Sequence, residues 1–413
     1  MSTFQTALSG LQAASTDLQV MGNNIANANT VGFKSSNAQF ADAYATAIAG
    51  TAPQTGQVGI GTSVQTIAQQ FAQGNITATN NPLDVAINGS GFFQFNYNGA
   101  TVYGRNGQFQ LDQNGYIVDG GGGQLIGTPA VSGKLTGGSG PLQITTTSLA
   151  PKATTSATVS LNLNAAATPP ASGSTFNAND PTTYNYSTTA TVYDSLGTSH
   201  LLTTYYVLTS GSTSGQQWDV YYSVDGTTSS GGITSGGPLT IQFSSTGTIS
   251  GTASGSIGPL TWSDGASGST IALNFAGSTN YNAPTAVNNI TSDGYGAGQL
   301  SNLSIDPSGI IYGRYSNGQS AILGQITLTN FKAPQGLQRI GNNYFVPTYA
   351  SGQPLTGAPQ SGGLGSLQSS AVEESNVDLS TQLVNLIVAQ QAYQANAQTI
   401  KTQNQVVQTL LTL

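Results

Sequence analysis

The chain has 413 residues and a net charge of −7, with only 8 Lys and Arg, and charged residues make up 6% of it. A nucleic-acid-binding protein or a polybasic membrane-surface protein needs a cationic patch, so this composition excludes both classes. Cysteine is absent, which excludes disulfides, a thiol nucleophile and cysteine-ligated zinc. No run of about 18 apolar residues and no basic segment before an apolar N-terminal stretch is present, so we expect neither membrane insertion nor a cleaved signal peptide.

The first predicted element is a helix over about residues 3–28, in which apolar side chains recur every seven residues. The stripe consists of one row with Phe4, Leu11, Leu18 and Ile25, a second row with Ala7, Ala14, Met21 and Ala28, and Leu8 at the remaining seam position. A narrow stripe of this period is typical of a coiled-coil seam.

The middle of the chain changes to a period of two, with turn signals about every ten residues, which predicts strands. One strand-rich block precedes residue 149, a second begins near Leu149, and a third covers 303–347. Two Asn-Gly pairs, Asn106-Gly107 and Asn114-Gly115, lie between β-rich runs and predict hairpin turns, because glycine and asparagine tolerate positive φ.

The last predicted element is a long helix, since neither Gly nor Pro occurs from Glu373 to Leu413. Asp378 or Ser380 is expected to cap it, and Glu373-Glu374 is interpreted as favouring the helix dipole. Its seven-residue rows are Leu379, Leu386, Tyr393, Ile400 and Val407, with Leu383, Gln390, Ala397, Asn404 and Leu411 as the companion row. Neither terminal stripe has an adjacent apolar segment to pack on. Each stripe is therefore expected to be buried on the other or on further copies of the chain, and pairing of the two ends would nest the domains between them.

Catalytic and ligand-binding patterns are weak. The single histidine, His200, could form a Ser-His-Asp arrangement only with Asp194 and a serine such as Ser195 or Ser199. However, residues 194–198 separate two β-rich runs and predict a hairpin turn instead. One histidine cannot form a histidine-cluster metal site. We therefore expect no enzyme, no cofactor and no metal site.

Three stretches carry motifs that resemble the flagellar axial proteins of bacteria, the rod and hook family. They are Ser9-Gly10-Leu11-Gln12-Ala13-Ala14 with residues 23–34, residues 73–76 with 80–93, and residues 374–379 with 390–396 and 409–411. The motifs lie at both ends of the chain in the order that the family has. The long insert at about 149–295 favours a hook subunit over a distal rod or other axial subunit. Uncharged Gln382, Gln391 and Asn404 stand where this family often has charges, so ion pairs at those positions are not expected.

The resemblance implies a fold with mainly β outer domains and a terminal α-helical coiled-coil domain, nested and discontinuous because both chain ends contribute. The implied domains are 1–29 with 375–413 for the helical inner-tube domain, 30–70 for a linking segment, 71–148 with 296–374 for an outer β domain, and 149–295 for an inserted β domain at the outer surface.

The resemblance also implies a structural subunit of the bacterial flagellar hook that self-assembles into a curved helical tube and acts as a universal joint between rod and filament. Implied partners are further copies of the chain, rod and hook–filament junction proteins, the hook cap and the flagellar type III export apparatus. The implied location is extracellular, in the flagellum, after export without a cleaved signal peptide. From the two stripes we expect subunit-interface residues at Phe4, Leu8, Leu11, Leu18, Ile25, Leu379, Leu383, Leu386, Tyr393, Ile400, Val407 and Leu411.

Two functions of other classes remain open on the residues alone. A secreted β-rich adhesin would share the acidic, cysteine-free composition, but it is expected to carry a signal peptide and needs no paired terminal stripes. A carbohydrate-active enzyme would need two carboxylates in a cleft, and the sequence singles out no such pair.

Overall fold

The structure is a computed structural model that describes residues 2–43, 59, 61–144, 148–171, 175–212, 215–226 and 238–411. One helix lies near each end of the chain, α1 at Ser2–Ala26 and α2 at Leu379–Leu411. Within the described ranges, no helix combines the length and the apolar character that a membrane span requires. Asp378 caps α2, because its Oδ1 accepts a hydrogen bond from the Ser380 backbone N at 3.0 Å, which confirms one of the two predicted caps.

Strands fill the chain between the helices, together with two short 3₁₀ turns at Pro181–Thr183 and Pro334–Gly336. The strands are β1 Ser36–Ala43, β2 Gly61–Gln69, β3 Ile76–Ala78, β4 Val85–Asn88, β5 Phe92–Tyr97, β6 Ala100–Gly104, β7 Phe109–Leu111, β8 Ile117–Asp119, β9 Gln124–Val131, β10 Lys134–Leu135, β11 Gly140–Pro141, β12 Ser148–Leu149, β13 Ser156–Asn162, β14 Tyr186–Tyr193, β15 Ser199–Ser212, β16 Gly215–Val224, β17 Leu239–Gln242, β18 Ser254–Leu260, β19 Ser269–Asn274, β20 Ala286–Ser292, β21 Gly298–Ile305, β22 Ile310–Tyr315, β23 Ser320–Ile326, β24 Leu328–Asn330, β25 Gln338–Gly341, β26 Tyr344–Val346, β27 Leu355–Gly357, β28 Ser366–Ser369 and β29 Ala371–Glu373.

The chain divides into two compact units. Unit 1 comprises residues 1–145, 302–314 and 320–413, and unit 2 comprises residues 146–301 and 315–319. Unit 1 therefore contains both helices and is built from both chain ends, while unit 2 is an insertion within it. This confirms the predicted fold class of mainly β domains, nested and discontinuous, with terminal helices.

Unit 1 is organised around an antiparallel sheet whose central order is β22-β23-β9-β5-β6-β26-β25. An aromatic core lies beside it, formed by Phe92, Tyr103, Phe331, Leu337 and Phe345. Two small pairings, β28 with β4 and β29 with β3, bring the segment before α2 next to the segment that follows β2. The β1–β2 hairpin begins its pairing at Ser36 and Gln69, within the region predicted as a linking segment.

The two predicted Asn-Gly hairpins have different outcomes. The turn at Asn114-Gly115 is confirmed, because β7 and β8 pair across it with Leu111 opposite Ile117. The prediction of a hairpin turn at Asn106-Gly107 is wrong, since β6 pairs with β5 and β26 and not with β7. A Cβ added to Gly107 would lie 1.8 Å from the Val85 carbonyl oxygen, so this glycine permits a close backbone approach rather than a hairpin.

Unit 2 contains two four-stranded sheets, β18-β19-β13-β20 and β14-β15-β16-β17. Their inward-facing side chains form one core around Trp218, Tyr206 and Phe275, each with no solvent exposure. Two sheets that share such a core are a β-sandwich, and this confirms the strand-rich block predicted from about residue 149. The hairpin predicted at residues 194–198 is also confirmed, because Tyr193 pairs with Ser199 across it.

Candidate assembly site

The two terminal helices pair in an antiparallel register within unit 1. The Asn24 side chain donates a hydrogen bond to Gln382 Oε1 at 3.2 Å, and a Cβ added to Gly10 would lie 2.8 Å from Asn396 Oδ1. These two contacts are 14 residues apart on each helix, so the register does not shift between them. Because α2 has 33 residues and α1 has 25, the last turns of α2 extend beyond the first residue of α1.

The face of α2 that meets α1 differs from the predicted seam. Ala389 lies seven residues from both Gln382 and Asn396, on the same face of α2, and is only 4% exposed. Leu383 of the predicted companion row is 45% exposed. Amide and alanine side chains at these positions let the two helix axes approach closely, because a leucine there would hold them apart. In the single chain the companion row through Leu383 therefore does not lie between α1 and α2, and its burial on further copies of the chain stays a prediction.

The predicted interface residues fall into two groups in the single chain. Half-buried in the chain are Leu11, Leu18, Ile25, Leu386 and Ile400. Exposed to solvent are Phe4, Leu8, Leu379, Leu383, Tyr393 and Val407. The side chain of Leu411 lies outside the described residues.

An exposed apolar row of four residues follows α2, and of these only Leu383 was among the predicted interface residues. It consists of Leu383, Val384, Ile387 and Val388, which are 45%, 60%, 52% and 59% exposed. Residues at i, i+1, i+4 and i+5 share one helix face, so the row is continuous, and we call it the exposed α2 stripe. Apolar patches of this kind on a soluble surface mark interaction sites.

The β1–β2 hairpin also contacts α1. Asn24 is 1% exposed, and its side-chain amide donates to Ser36 O at 2.8 Å while its oxygen accepts from Ser36 N at 2.9 Å. Near the opposite end of α1, Ser9 Oγ accepts a hydrogen bond from Thr62 N at 3.1 Å. Local sequence could not indicate these contacts of Asn24, because its partners Ser36 and Gln382 lie outside α1.

A buried ion cluster fastens the helical pair to the sheets of unit 1. The side chain of Glu373 has no solvent exposure, and its Oε1 accepts from Lys34 Nζ at 2.6 Å and from Gly74 N at 2.8 Å. Its Oε2 accepts from Arg105 Nη1 at 3.1 Å. Lys34 follows α1 and Glu373 precedes α2, so one carboxylate joins the bases of both helices.

Each of the two cations also donates one further hydrogen bond, to a backbone carbonyl. Lys34 Nζ also donates to Ala72 O at 2.8 Å, and Arg105 Nη2 donates to Gly89 O at 2.9 Å. Burial lowers the pKa of Lys34 and that of Arg105, and the Glu373 carboxylate opposes both shifts. The interpretation of Glu373 as a residue that favours the helix dipole is wrong, because α2 begins at Leu379 and Glu373 lies in β29.

The histidine of unit 2 is held by carboxylates and not by a serine. His200 Nδ1 lies 2.7 Å from Asp225 Oδ2, and Nε2 lies 3.3 Å from Asp194 Oδ2. Burial alone would lower the pKa of His200, but its hydrogen bonds to the two carboxylates raise it. Ser195 Oγ accepts a hydrogen bond from Ser267 N at 2.9 Å instead. The geometry is that of an ion-paired hairpin, with no activated nucleophile among these residues.

Family models match four stretches of the chain. Residues 4–34 match the flagella basal body rod protein family, and residues 368–413 match the C-terminal region of the flagellar basal body rod FlgEFG proteins. Residues 86–162 match the flagellar hook protein FlgE/F/G D1 domain, and residues 131–295 match the flagellar basal body protein FlaE D2 domain. The match at residues 4–34 covers α1 except its first two residues, and the match at residues 368–413 contains α2.

Full-length relatives and a solved structure agree with these matches. The flagellar hook protein FlgE of Salmonella typhimurium is 41% identical over 419 aligned residues and covers 100% of both chains, and that of Escherichia coli is 41% identical over 99% of both. The crystal structure of Helicobacter pylori flagellar hook protein FlgE2 covers 72% of this chain and 100% of its own, with a TM-score of 0.52 and 16% identity, a likeness in fold alone. Motifs, nested fold and full-length similarity together show that the chain belongs to the flagellar hook protein family, a family of structural flagellar proteins and not of enzymes.

Proposed function

We propose that the chain self-assembles, as a structural subunit of the flagellar hook, into a curved helical tube that acts as a universal joint and transmits torque from rod to filament. The observation that carries the proposal is the exposed α2 stripe. Four large aliphatic side chains in one row remain in solvent although α1 already packs on α2. Burying apolar surface contributes about 25 cal/mol per Å², so copies of the chain gain free energy by covering this stripe.

The arrangement of the helices supports a polymer and not a closed dimer. The outer row of α2 lies along one side of the pair, while the α1 residues Phe4 and Leu8, each 39% exposed, lie on the other helix. A contact between two different surfaces is heterologous, and a heterologous contact that does not close on itself repeats into a helical assembly.

We also propose a role for each part of the chain in the tube. The helical pair, residues 1–29 and 375–413, forms the inner tube, and residues 30–70 link it to an outer β domain of residues 71–148 and 296–374. Residues 149–295 form the β domain inserted at the outer surface. The Glu373 cluster supports this division, because it ties the bases of both helices to strands of unit 1. Torque passed between helices and outer domains would cross these contacts.

The proposed partners beyond further copies are rod proteins, hook–filament junction proteins, the hook cap and the flagellar type III export apparatus, with export to the cell exterior without a cleaved signal peptide. The absence of cysteine supports passage to an oxidising exterior, where a free thiol is a liability. The low content of charged residues, 6%, supports bending, because neighbouring surfaces of Ser, Thr and Gly can slide without breaking ion pairs.

Assembly of the purified full-length chain tests the proposal. After salting-out, electron microscopy should show tubes, and the variant Val384→Ser/Val388→Ser should remain in the supernatant on sedimentation. These two valines are exposed in the single chain, so the helix signal of the monomer should melt as in the parent. Aggregates without helical order, or tubes formed equally well by the variant, would refute the proposed assembly.

The chain offers a matched control at a distant site. Val131 is 65% exposed on β9, so Val131→Ser removes the same apolar group at similar exposure without touching the helices. It should assemble like the parent. A loss of assembly in this control would mean that the assay reports general surface apolarity and not the exposed α2 stripe.

A further inference from the structure

Each terminal helix carries a single charged residue, and the two charges are opposite in sign. Asp17 is the only charged residue of α1, and Lys401 is the only one of α2. In the part of the chain that the structure describes, neither side chain has an ion-pair partner within 4.0 Å. In the antiparallel register Asp17 stands opposite Ala389. Lys401 lies further along α2, about 18 Å from Ala389 at a rise of about 1.5 Å per residue. One copy of the chain cannot pair these charges.

Asp17 lies in a groove that is lined mostly by small residues. The groove has a volume of about 290 Å³ between α1, α2 and the β1–β2 hairpin, and small residues line it, among them Gly10, Ala13, Ala14 and Ala392. The Asp17 carboxylate is half-buried there, and burial raises its pKa. A carboxylate that loses water without gaining a partner is unfavourable, and a cation placed beside it removes that penalty.

We propose that this groove receives the Lys401 side chain of a second copy of the chain, so that Asp17 and Lys401 form an ion pair between subunits. The inference rests on the proposed assembly and names one of its contacts. The four-carbon stem of Lys401 can lie along the glycine, alanine and larger apolar side chains of the groove, which include Phe40 and Val388, and its ammonium group then reaches the carboxylate. Lys401 is exposed near the free end of α2, where a second copy can approach it.

The pair would set the axial position of one subunit against the next. Apolar side chains attract at many sliding positions, whereas a single pair of opposite charges on otherwise uncharged helices is satisfied at only one. Each copy offers the groove at one level and the lysine at another. The contact is therefore heterologous and repeats from copy to copy.

Disulfide trapping tests the pair directly, because the natural chain has no cysteine. Polymers of the full-length variant Asp17→Cys/Lys401→Cys are oxidised and separated on a non-reducing gel. A disulfide needs its two Cα atoms within about 7 Å, so the thiols cannot join within one copy and should instead give a ladder of dimers and larger species. Single-cysteine variants should give no species larger than a dimer.

Two double variants serve as matched controls. Asp17→Cys/Gln394→Cys moves the second thiol by one heptad, about 10 Å along the same face of α2. Asp42→Cys/Lys401→Cys tests the exposed carboxylate of β1 as the alternative partner. The proposed pair should cross-link at least several times more than either control. Cross-linking equal to or below that of a control would overturn the proposal.

Charge exchange gives an independent readout. Asp17→Lys or Lys401→Asp alone places like charges together and should lower the polymer yield roughly tenfold. The double variant Asp17→Lys/Lys401→Asp should restore the yield, and a failure of restoration would overturn the pair. If tubes form without the 17–401 cross-link, only the proposed ion pair is refuted. If the parent chain forms no tubes, both the proposed assembly and the ion pair are refuted.

Discussion

From the Glu373 cluster we predict how much thermal stability unit 1 loses in the variant Glu373→Gln. The substitution keeps the size and planar shape of the side chain but removes the one carboxylate that, among the described residues, pairs with Lys34 and Arg105, whose side chains are 0% and 4% exposed. Breaking a buried ion pair by removing one partner costs about 3 to 5 kcal/mol, because the remaining charge is left uncompensated. For domains in the size class of unit 1, each kcal/mol corresponds to roughly 2 to 4 °C in Tm. We therefore expect unit 1 to lose roughly 6 to 20 °C in Tm.

The two units can be followed separately in one sample. Both helices belong to unit 1, so circular dichroism at 222 nm reports its unfolding. Both tryptophans, Trp218 and Trp262, belong to unit 2, so tryptophan fluorescence reports that unit alone. In Glu373→Gln the helix signal should melt earlier while the fluorescence transition stays in place.

The neighbouring carboxylate provides the control. Glu374 is exposed and accepts a hydrogen bond from Thr77 Oγ1 at 2.8 Å, so Glu374→Gln should change stability by less than about 0.5 kcal/mol. Equal effects of the two substitutions, or no effect of Glu373→Gln on the 222 nm transition, would refute the reasoning. The cluster would then contribute no more than a surface contact.

Two further predictions concern the histidine of unit 2 and two glycines of unit 1. The raised pKa of His200 means that its charged form is favoured in the folded state, so its stabilisation is complete below the unfolded pKa of about 6.5 and is lost as pH rises through the folded value. Urea midpoints from tryptophan fluorescence should fall from about pH 6.5 upward in the parent but much less in His200→Asn, and a midpoint that rises with pH would contradict this. Gly32→Ala should lose roughly 1 to 3 kcal/mol or more, because φ is +70° and the new Cβ would lie 2.5 Å from Asn106 N. Gly22→Ala, in open space on α1, should gain about 1 kcal/mol, and equal losses in both variants by 222 nm melts would contradict the assignment.

The sequence predicted the elements well where the signal is local. Seven-residue recurrence identified both terminal helices, and the Asp378 cap was among the two candidates. Alternation and turn residues identified the β-rich middle and the hairpins at residues 112–116 and 194–198. These features depend on contacts within a few residues along the chain, which the local residue types largely decide.

The partners of those elements were less predictable. A narrow heptad stripe indicates that a helix pairs, yet several faces of α2 are apolar, and only the antiparallel register selects the face with Ala389 and Asn396 over the one with Leu383. Asn106-Gly107 has the composition of a hairpin turn, but the close approach of β4 to Gly107 overrides it. In each case the competing contact lies far away in sequence.

By itself, then, the amino-acid sequence determined which segments are helix or strand, and its motifs determined the family resemblance. The tertiary structure alone decided that Glu373 meets Lys34 and Arg105, which are 339 and 268 residues away along the chain. It also decided which apolar side chains of α2 stay in solvent. Side-chain period follows from local backbone geometry, whereas burial and ion pairing depend on which distant segments the closed chain brings together.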